Sequence, residues 1–250
     1  MSRPLPLDGV TVVDLGQIYN GPYCSFLLAM AGARVIKIES PGGEHLRRRS
    51  VVGGAAVPFA MLNSNKNFIT LNLKTARGRE LLMEMVRRGD VVVENFAPGA
   101  MERLGVGYEQ MSAVNPRIVY GAGSGYGRSG PNKDYPAMDL TVQAMAGIMD
   151  ITGFPDRPPV KSGPALCDFF GGIHLYGGIM TALLSIFYAF DGWHTASYFT
   201  EENKDPVKSM PKSMFIGVII VAFIYLLINV GILYSLPLET LSTSKLAAAD

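Results

Sequence analysis

VTVVDLGQIYNGPYCSFLLAMAGARVIKIE, residues 10–39, decides the fold of the first part of this chain. The stretch opens with a β-branched run at residues 10–15, continues through a helical segment introduced by Gly21 and Pro22, and ends in a second run at residues 34–39. Two parallel strands of one sheet need a crossover between them, and that crossover is usually a helix. The stretch therefore predicts a strand–helix–strand unit, the repeating element of a doubly wound α/β sheet.

The same alternation of strand and helix continues to about residue 184. Further strands are predicted at residues 68–73, 90–96 and 117–120. Thr75 is a suitable N-cap for a helix over residues 76–88. Three consecutive valines in the 90–96 run are typical of a strand buried on both faces. We predict a Rossmann-like α/β part over residues 1–184, with its ligand site beyond the carboxyl ends of the strands.

Charge and cysteine content narrow the possible functions. The formal net charge is +1, from 22 Lys+Arg and 21 Asp+Glu, so the balance gives no indication of nucleic-acid binding. Cys24 and Cys167 lie far apart and lack CxxC spacing, which favours reduced thiols over a disulfide or a zinc site. The three histidines have no partners at ligand spacing, and no metal site is predicted.

Two local patterns each allow two interpretations. The glycine-rich segment at residues 121–131 can bring backbone N–H groups close to a phosphate, but it lacks the GxGxxG spacing, and a mobile loop is the alternative. The triple arginine at residues 47–49 is either a solvated surface run or a grip for a polyanion such as a nucleotide phosphate.

Asp168 is the strongest single candidate for chemistry. It lies between apolar residues and precedes Gly171 and Gly172, a pair that admits close approach of another group. A carboxylate in apolar surroundings is costly unless it is used. The alternative is that Asp168 caps the helix that follows it.

Several motifs together resemble the class III CoA-transferases, the family that includes formyl-CoA and carnitine CoA-transferases. The motifs are VTVVDL at 10–15, VIKIE at 35–39, NSNK at 63–66, LNLK at 71–74, VENFAPG at 93–99, RLG at 103–105 and GFPD at 153–156. The resemblance implies that Asp168 is a nucleophile that attacks an acyl-CoA thioester, giving an aspartyl mixed anhydride and CoA thiolate. It also implies that acyl-CoA and a carboxylic acid are the substrates and that no metal takes part.

The resemblance assigns further roles by position. Asp139 matches a carboxylate that some members use near the reacting centre, and a structural role is the alternative. Tyr19 and Ser40 stand where the formyl-CoA enzyme has glutamine and arginine. Family members form interlocked homodimers and extend beyond the matched part, so the resemblance implies a truncated transferase here. The positions expected to contact CoA are Tyr19, Asn20, Leu71, Asn72, Leu73, Lys74, Asn95, Phe96, Ala97 and Arg103.

The remaining residues, 185–250, have a different character. Residues 214–236 contain no charged side chain, and about 20 apolar residues are enough to cross a bilayer, which predicts one transmembrane helix. The connector at 201–212 holds three lysines and residues 237–250 hold one, so the positive-inside bias places the connector in the cytoplasm and the C-terminus outside. Residues 169–190 are also uncharged, but their first part matches a helix of the soluble transferases, and we predict that they do not span.

Residues 185–250 resemble part of the amino acid–polyamine–organocation permeases. In that family an aromatic-Gly-Trp stretch breaks a transmembrane helix beside the amino-acid substrate, a feature of transporters with discontinuous helices. The matching positions are Phe187, Phe190, Gly192 and Trp193. The two resemblances together predict a chimera, with the α/β part in the cytoplasm, where CoA is found. Three functions stay open: a CoA-transferase, a permease fragment, and a chimeric reading frame with neither activity.

Overall fold

The computed structural model describes residues 5–49, 51–189, 212, 215–217, 219, 220, 222–224, 226, 227 and 230. The strands are β1 (Thr11–Asp14), β2 (Arg34–Glu39), β3 (Val51–Val52), β4 (Ala55–Ala56), β5 (Lys66–Thr70), β6 (Val91–Glu94) and β7 (Val119–Ala122). The helices are α1 (Asn20–Met30), α2 (Val57–Asn63), α3 (Ala76–Arg88), α4 (Ala100–Arg103), α5 (Tyr108–Val114), α6 (Asp139–Met145) and α7 (Leu166–Ala189). The chain divides into two compact units, Met1–Leu183 and Leu184–Asp250.

Five of the strands form one parallel sheet in the order β5–β2–β1–β6–β7, and β3 and β4 form a small antiparallel hairpin. The central strand β1 pairs in parallel with β2 on one side and with β6 on the other. The strand order therefore reverses between β1 and β6, and such a switch point opens a crevice at the carboxyl edge of the sheet. The predicted parallel α/β sheet is confirmed.

Both faces of the sheet are covered, as the valine run predicts. Val91, Val92 and Val93 of β6 are each fully buried. Val92 belongs to a core cluster with residues of α3, α4 and α5, whereas Val91 and Val93 belong to a second cluster with residues of α1 and α7. This alternation follows from the two-residue period of a strand, and it identifies β6 as a fully enclosed strand.

The predicted element boundaries are partly wrong. The segment at 34–39 coincides with β2, but the strand predicted at 68–73 is β5 at Lys66–Thr70, so residues 71–73 lie in the loop beyond it. The apolar pattern misses the start of β5 because that start is a buried lysine. The first helix begins earlier than predicted, at Asn20, and contains Gly21 and Pro22 in its first turn, where proline is tolerated.

A buried ionic cluster lies beneath the loop that follows β1. Asp14 accepts hydrogen bonds from Ser25 Oγ (2.6 Å) and Lys66 Nζ (3.1 Å), and Lys37 Nζ lies 3.9 Å from the same carboxylate. Burial raises the pKa of Asp14, but the charges of Lys37 and Lys66 outweigh it and leave that pKa below its ordinary value. Lys37 also donates to the carbonyl oxygen of Gly16, in the loop after β1. The cluster therefore links β1, β2, β5 and α1 to that loop.

Among the described residues, Leu166–Ser185 of α7 is the one segment long and apolar enough to cross a membrane, judged by length and composition. One side of this helix packs on the sheet: Ile179 is buried, and a Cβ added at Gly121 of β7 would lie 2.7 Å from Ile179 Cδ1. The other side leaves Phe170 and Ile173 exposed. These contacts are those of a helix that covers one face of the α/β sheet.

The described residues from 215 to 230 are helical and lie within the segment predicted to span a membrane. Whether they cross a bilayer stays a prediction. Phe187 is described only as part of the α7 backbone. Phe190, Gly192, Trp193 and most of the connector at 201–212 lie outside the described residues.

Candidate active site

The loop between β1 and α1 is clamped on two sides at the switch point. Gln17 N donates to Asn95 Oδ1 (2.6 Å), and Asn95 Nδ2 donates back to the Gln17 carbonyl oxygen (2.9 Å). Ile18 N donates to Glu44 Oε1 (2.9 Å), and Ile18 itself has a φ of 63°. A positive φ is rare for a β-branched residue and costs on the order of 1–3 kcal/mol. The surrounding contacts therefore hold this loop in a strained conformation at the edge of the crevice.

Asn20 follows that loop and projects its side-chain amide into a narrow gap. A Cβ added at Gly123, just after β7, would lie 2.3 Å from Asn20 Oδ1, and one added at Gly171 of α7 would lie 2.3 Å from Asn20 Nδ2. A side chain at either position would displace the Asn20 amide, which occupies the space that a Cβ would fill. Asn20 Oδ1 is buried and has no hydrogen-bond partner among the described residues.

Asp168 lies inside the first turn of α7, as its third residue, so the interpretation of Asp168 as the N-cap of this helix is wrong. Burial, together with the negative charge of Asp139, raises the pKa of Asp168 to about 6. A carboxylate with this pKa is mostly ionised at pH 7 and is more basic than an ordinary aspartate. It can act as a nucleophile without a separate base.

Asp139 is bonded to the backbone next to Asp168. Its Oδ1 accepts a hydrogen bond from Cys167 N (2.9 Å), and its Oδ2 accepts one from Gln143 Nε2 (2.7 Å). Gln143 is fully buried, and its Oε1 accepts hydrogen bonds from both the backbone N and the hydroxyl of Ser162, each at 3.0 Å. The sequence left a structural and a reactive role open for Asp139. The geometry makes it a group that orients the first turn of α7 and places a like charge near Asp168.

Aromatic side chains connect the β1–α1 loop to α7. The rings of Tyr19 and Phe169 have centroids 5.6 Å apart, and Tyr23 meets Phe169 edge-to-face at 4.9 Å. Phe169 is the residue after Asp168, so Tyr19 lies beside the first turn of α7. Tyr19, Asn20 and Asp139 thus contact the residues of α7 that flank Asp168, namely Phe169, Gly171 and Cys167.

A cavity of about 240 Å³ opens at the carboxyl ends of β6 and β7. It includes Phe96 and Ala97, which the sequence identified, and Gly123, which also borders Asn20. The glycine-rich segment contributes part of the wall, together with Arg128, whose Nη2 lies 2.9 Å from Glu102 Oε1. Gly123 is therefore common to the cavity wall and to the gap that holds the Asn20 amide.

Glu94 is a cavity residue that sequence reasoning missed. It is buried, and it accepts hydrogen bonds from Phe96 N (2.7 Å) and Tyr120 Oη (3.2 Å). Burial raises the pKa of Glu94 above its ordinary value. The sequence predicted a strand over residues 90–96, which put Glu94 inside the strand, whereas β6 ends at Glu94 and its bonds to Phe96 and Tyr120 depend on the folded loop.

The other positions expected to contact CoA lie farther along the sheet edge. Leu71 is buried in the core, and residues Asn72, Leu73 and Lys74 form the turn into α3. These residues follow β5, one edge strand, whereas α7 packs on β7, the opposite edge strand. Arg103 Nη1 donates to the carbonyl oxygen of Pro98 (3.2 Å), a cavity residue. Their contact with CoA stays a prediction.

The guanidinium of Arg47 is already paired with a carboxylate of the protein. Its Nε and Nη2 donate to the two carboxylate oxygens of Glu39, at 2.7 and 2.6 Å, and its guanidinium carbon lies 4.0 Å from the Phe59 ring centroid. A bidentate pair of this kind occupies the donors that would grip a phosphate. The structure therefore favours a structural role for this arginine of the triple run.

Comparison with known proteins identifies the α/β part. Residues 7–186 match CoA-transferase family III. The chain belongs to that family. This family III chain is 47% identical over 181 residues to the acetyl-CoA:oxalate CoA-transferase of Acetobacter aceti, covering 71% of this chain and 46% of the relative. It is 45% identical over 179 residues to the formyl-CoA:oxalate CoA-transferase of Streptomyces avermitilis, covering 71% of this chain and 44% of that one.

Solved structures agree on the fold. A CAIB/BAIF family protein from Brucella suis superposes with a TM-score of 0.69 at 40% identity, over 73% of this chain and 50% of that one. The family III chain therefore spans about half the length of the relatives it matches. A second match, to amino acid permeases, covers residues 145–249 and overlaps the first at residues 145–186. Both family resemblances predicted from the sequence are confirmed as matches.

Proposed function

We propose that this chain acts as an acyl-CoA:carboxylate CoA-transferase with Asp168 as its nucleophile. The proposal depends on one observation above all: a partly buried carboxylate with a pKa of about 6, held in the first turn of α7 at the carboxyl edge of the sheet. The relatives named above perform transfers of this kind. The crevice next to Asp168 and the cavity beside it would receive the thioester end of CoA.

The proposed reaction begins when an Asp168 oxygen bonds to the carbonyl carbon of the thioester. The carbon–sulfur bond breaks, sulfur leaves with the bonding pair as CoA thiolate, and an aspartyl mixed anhydride remains. The thiolate then bonds to the Asp168 carbonyl carbon, and the donor acid leaves as its carboxylate, which gives an aspartyl-CoA thioester. The incoming carboxylate bonds to the same carbon and displaces the thiolate, and the thiolate finally bonds to the acceptor's carbonyl carbon, which releases the new CoA thioester and the Asp168 carboxylate. No net proton transfer is needed, which fits a site whose central groups are two carboxylates, Asp168 and Asp139.

The substrates proposed first are CoA thioesters of small acids, with oxalate as acceptor, because acetyl-CoA, formyl-CoA and oxalate occur in the names of the relatives. The CoA contacts proposed are those predicted from the sequence, of which Phe96 and Ala97 line the cavity. A homodimer is proposed as the assembly, by the same resemblance.

Hydroxylamine trapping tests the proposal. The chain is incubated with acetyl-CoA, formyl-CoA and wider acyl-CoAs, with and without oxalate, and then with hydroxylamine, and the peptide containing residue 168 is analysed by mass spectrometry. We expect an aspartyl hydroxamate at Asp168 that Asp168→Asn abolishes and that Asp156→Asn, at an exposed position, preserves. Absence of any hydroxamate with the whole panel would refute the proposal.

A second candidate rests on the permease match at residues 145–249. We infer that the chain joins a transferase part to a permease part, and that residues 214–236 attach it to a membrane with the α/β part in the cytoplasm and the C-terminus outside. Transport by residues 187–193 is the alternative function of this segment. Protease protection in sealed vesicles, with tags at residues 1 and 250, tests the topology, and both tags on one face would contradict it. Sequencing the transcript across codons 180–190 tests the junction.

A further inference from the structure

The side-chain amide of Asn20 is a polar group that the fold leaves unused. Its Oδ1 is buried without a hydrogen-bond partner among the described residues. Buried polar atoms are almost always satisfied in native proteins, so each exception needs an explanation. Oδ1 is an acceptor and cannot itself bind an oxyanion, but its lack of a partner among the described residues shows that the fold leaves the Asn20 amide free for a ligand in the crevice, and the donor of that amide is Nδ2.

The orientation of this amide relates it to Asp168. Its Oδ1 faces Gly123, and its Nδ2 faces Gly171, since added Cβ atoms at those glycines would lie 2.3 Å from the respective amide atoms. Gly171 and Gly172 follow Asp168 by three and four positions in α7, and residues at that spacing share one face of a helix. The N–H donors of Asn20 therefore face the same side of α7 as the Asp168 carboxylate.

Asn20 is also held rigidly. The loop before it is strained at Ile18 and clamped by Glu44 and Asn95, and Tyr19 contacts Phe169. A donor that is fixed before substrate arrives needs no reorganisation when negative charge develops beside it. Strain stored next to a reacting group is a common accompaniment of such preorganisation.

We propose that Asn20 is a catalytic residue, on the premise that the transferase reaction proposed above takes place. Asn20 Nδ2–H donates to the thioester oxygen. When the Asp168 oxygen bonds to the thioester carbon, the carbonyl electron pair moves onto that oxygen, and Asn20 stabilises the resulting oxyanion. The pair then returns to re-form the carbonyl, the carbon–sulfur bond breaks, and sulfur leaves as thiolate. Asn20 keeps its protons throughout.

The test measures the first half-reaction in the full chain, purified in detergent. Release of CoA from acetyl-CoA is followed in a single turnover at saturating acetyl-CoA, and acetyl-CoA affinity is measured separately by calorimetry. We expect Asn20→Ala to slow CoA release by roughly 100-fold, the usual effect of removing one oxyanion donor, while the affinity changes little. Asn20→Asp keeps the shape but lacks the N–H and is expected to lose at least as much. Asn67→Ala, at an exposed position of β5, serves as the matched control and is expected to keep the wild-type rate.

The outcomes separate the two proposals. A rate for Asn20→Ala within about threefold of the wild type overturns the role of Asn20 while the transferase function stands. A loss that appears only in acetyl-CoA affinity, with an unchanged rate at saturation, also overturns it. A wild-type chain that releases no CoA and forms no hydroxamate refutes the transferase function and the inference built on it. Circular dichroism checks that the variants fold. If Asn20→Ala does not fold, the isosteric Asn20→Asp provides the test.

Discussion

Gly171→Ala and Gly177→Ala add the same methyl group to the same helix in two different surroundings. At Gly171 the new Cβ would lie 2.3 Å from Asn20 Nδ2. At Gly177, apart from its chain neighbours and the nearby backbone of α7 itself, no heavy atom of the described residues lies within 4 Å of the new Cβ. Since helix propensity changes in the same sense at both positions, the difference between the variants isolates the contact between α7 and Asn20.

The magnitude follows from the geometry. Ordinary contact begins near 3.4 Å, so the methyl group at residue 171 overlaps Asn20 by about 1.1 Å, the difference between 3.4 and 2.3 Å. Overpacking of this kind costs ~1–3 kcal/mol. Replacing a glycine within a helix by alanine gains ~0.5–1 kcal/mol. We expect Gly177→Ala to raise the free energy of unfolding by ~0.5–1 kcal/mol and Gly171→Ala to lower it by ~1 kcal/mol, near the middle of the roughly 0–2.5 kcal/mol that the two effects allow.

The assay is urea denaturation followed by far-UV circular dichroism, with all proteins in the same detergent buffer. CoA release from acetyl-CoA is measured alongside, and we expect Gly171→Ala to lose most of it because the shift moves the Asn20 amide away from Asp168. Gly177→Ala should keep the wild-type rate. Two variants with equal stability changes, or a Gly171→Ala protein as stable and as active as the wild type, would show that Asn20 does not lie against α7 as described.

Three further perturbations follow from the charges. Asp168→Asn should raise the free energy of unfolding by ~1–2 kcal/mol above pH 6 and leave it unchanged below pH 4, because a raised pKa means that the folded state opposes ionisation of Asp168. The shift of the pKa to about 6 corresponds to at most ~3 kcal/mol. Partial solvent exposure of Asp168 and the dipole of α7 reduce that value. A pH-independent difference in urea denaturation would contradict this, and Asp156→Asn is the control. Asp139→Asn removes the like charge and should move the pH at which hydroxamate formation is half-maximal to a lower value; an unchanged midpoint counts against the coupling. Lys66→Met breaks the buried pair with Asp14 and should cost ~3 kcal/mol in unfolding free energy, whereas a loss below ~1 kcal/mol would mean that Lys37 alone compensates the carboxylate.

The strands of the sheet were predictable where burial and apolar character coincide. The β2 segment has the sequence RVIKIE, in which apolar residues predominate, and its bounds were predicted correctly. The start of β5 was not predictable, because Lys66 is buried through its bonds to Asp14 and Ser25, and a local pattern registers only its charge. The N-cap at Thr75 was found because capping depends on residues three positions apart, and its hydroxyl does accept from Gly78 N.

The candidate site was only partly accessible from the sequence. Asp168 was identified from its apolar neighbours and its family motif, and Asp139 from its motif alone. The need for glycine at 171 arises from Asn20, about 150 residues earlier, and no local pattern carries a contact of that range. The clamp of Gln17 by Asn95 spans 78 residues and was invisible for the same reason.

The placement of β1 between β2 and β6 has a consequence for synthesis of the chain. Thr11 at the start of β1 bonds to Asp90, 79 residues later, so one side of the central strand stays open after β2 has emerged from the ribosome. From the end of β2 at Glu39 to Asp90, synthesis at typical elongation rates takes roughly 3–10 s. An unpaired valine-rich edge is a template for association with other nascent chains. Lower growth temperatures or added chaperones should therefore raise the soluble yield of this protein more than mutations that stabilise the core of the folded state would.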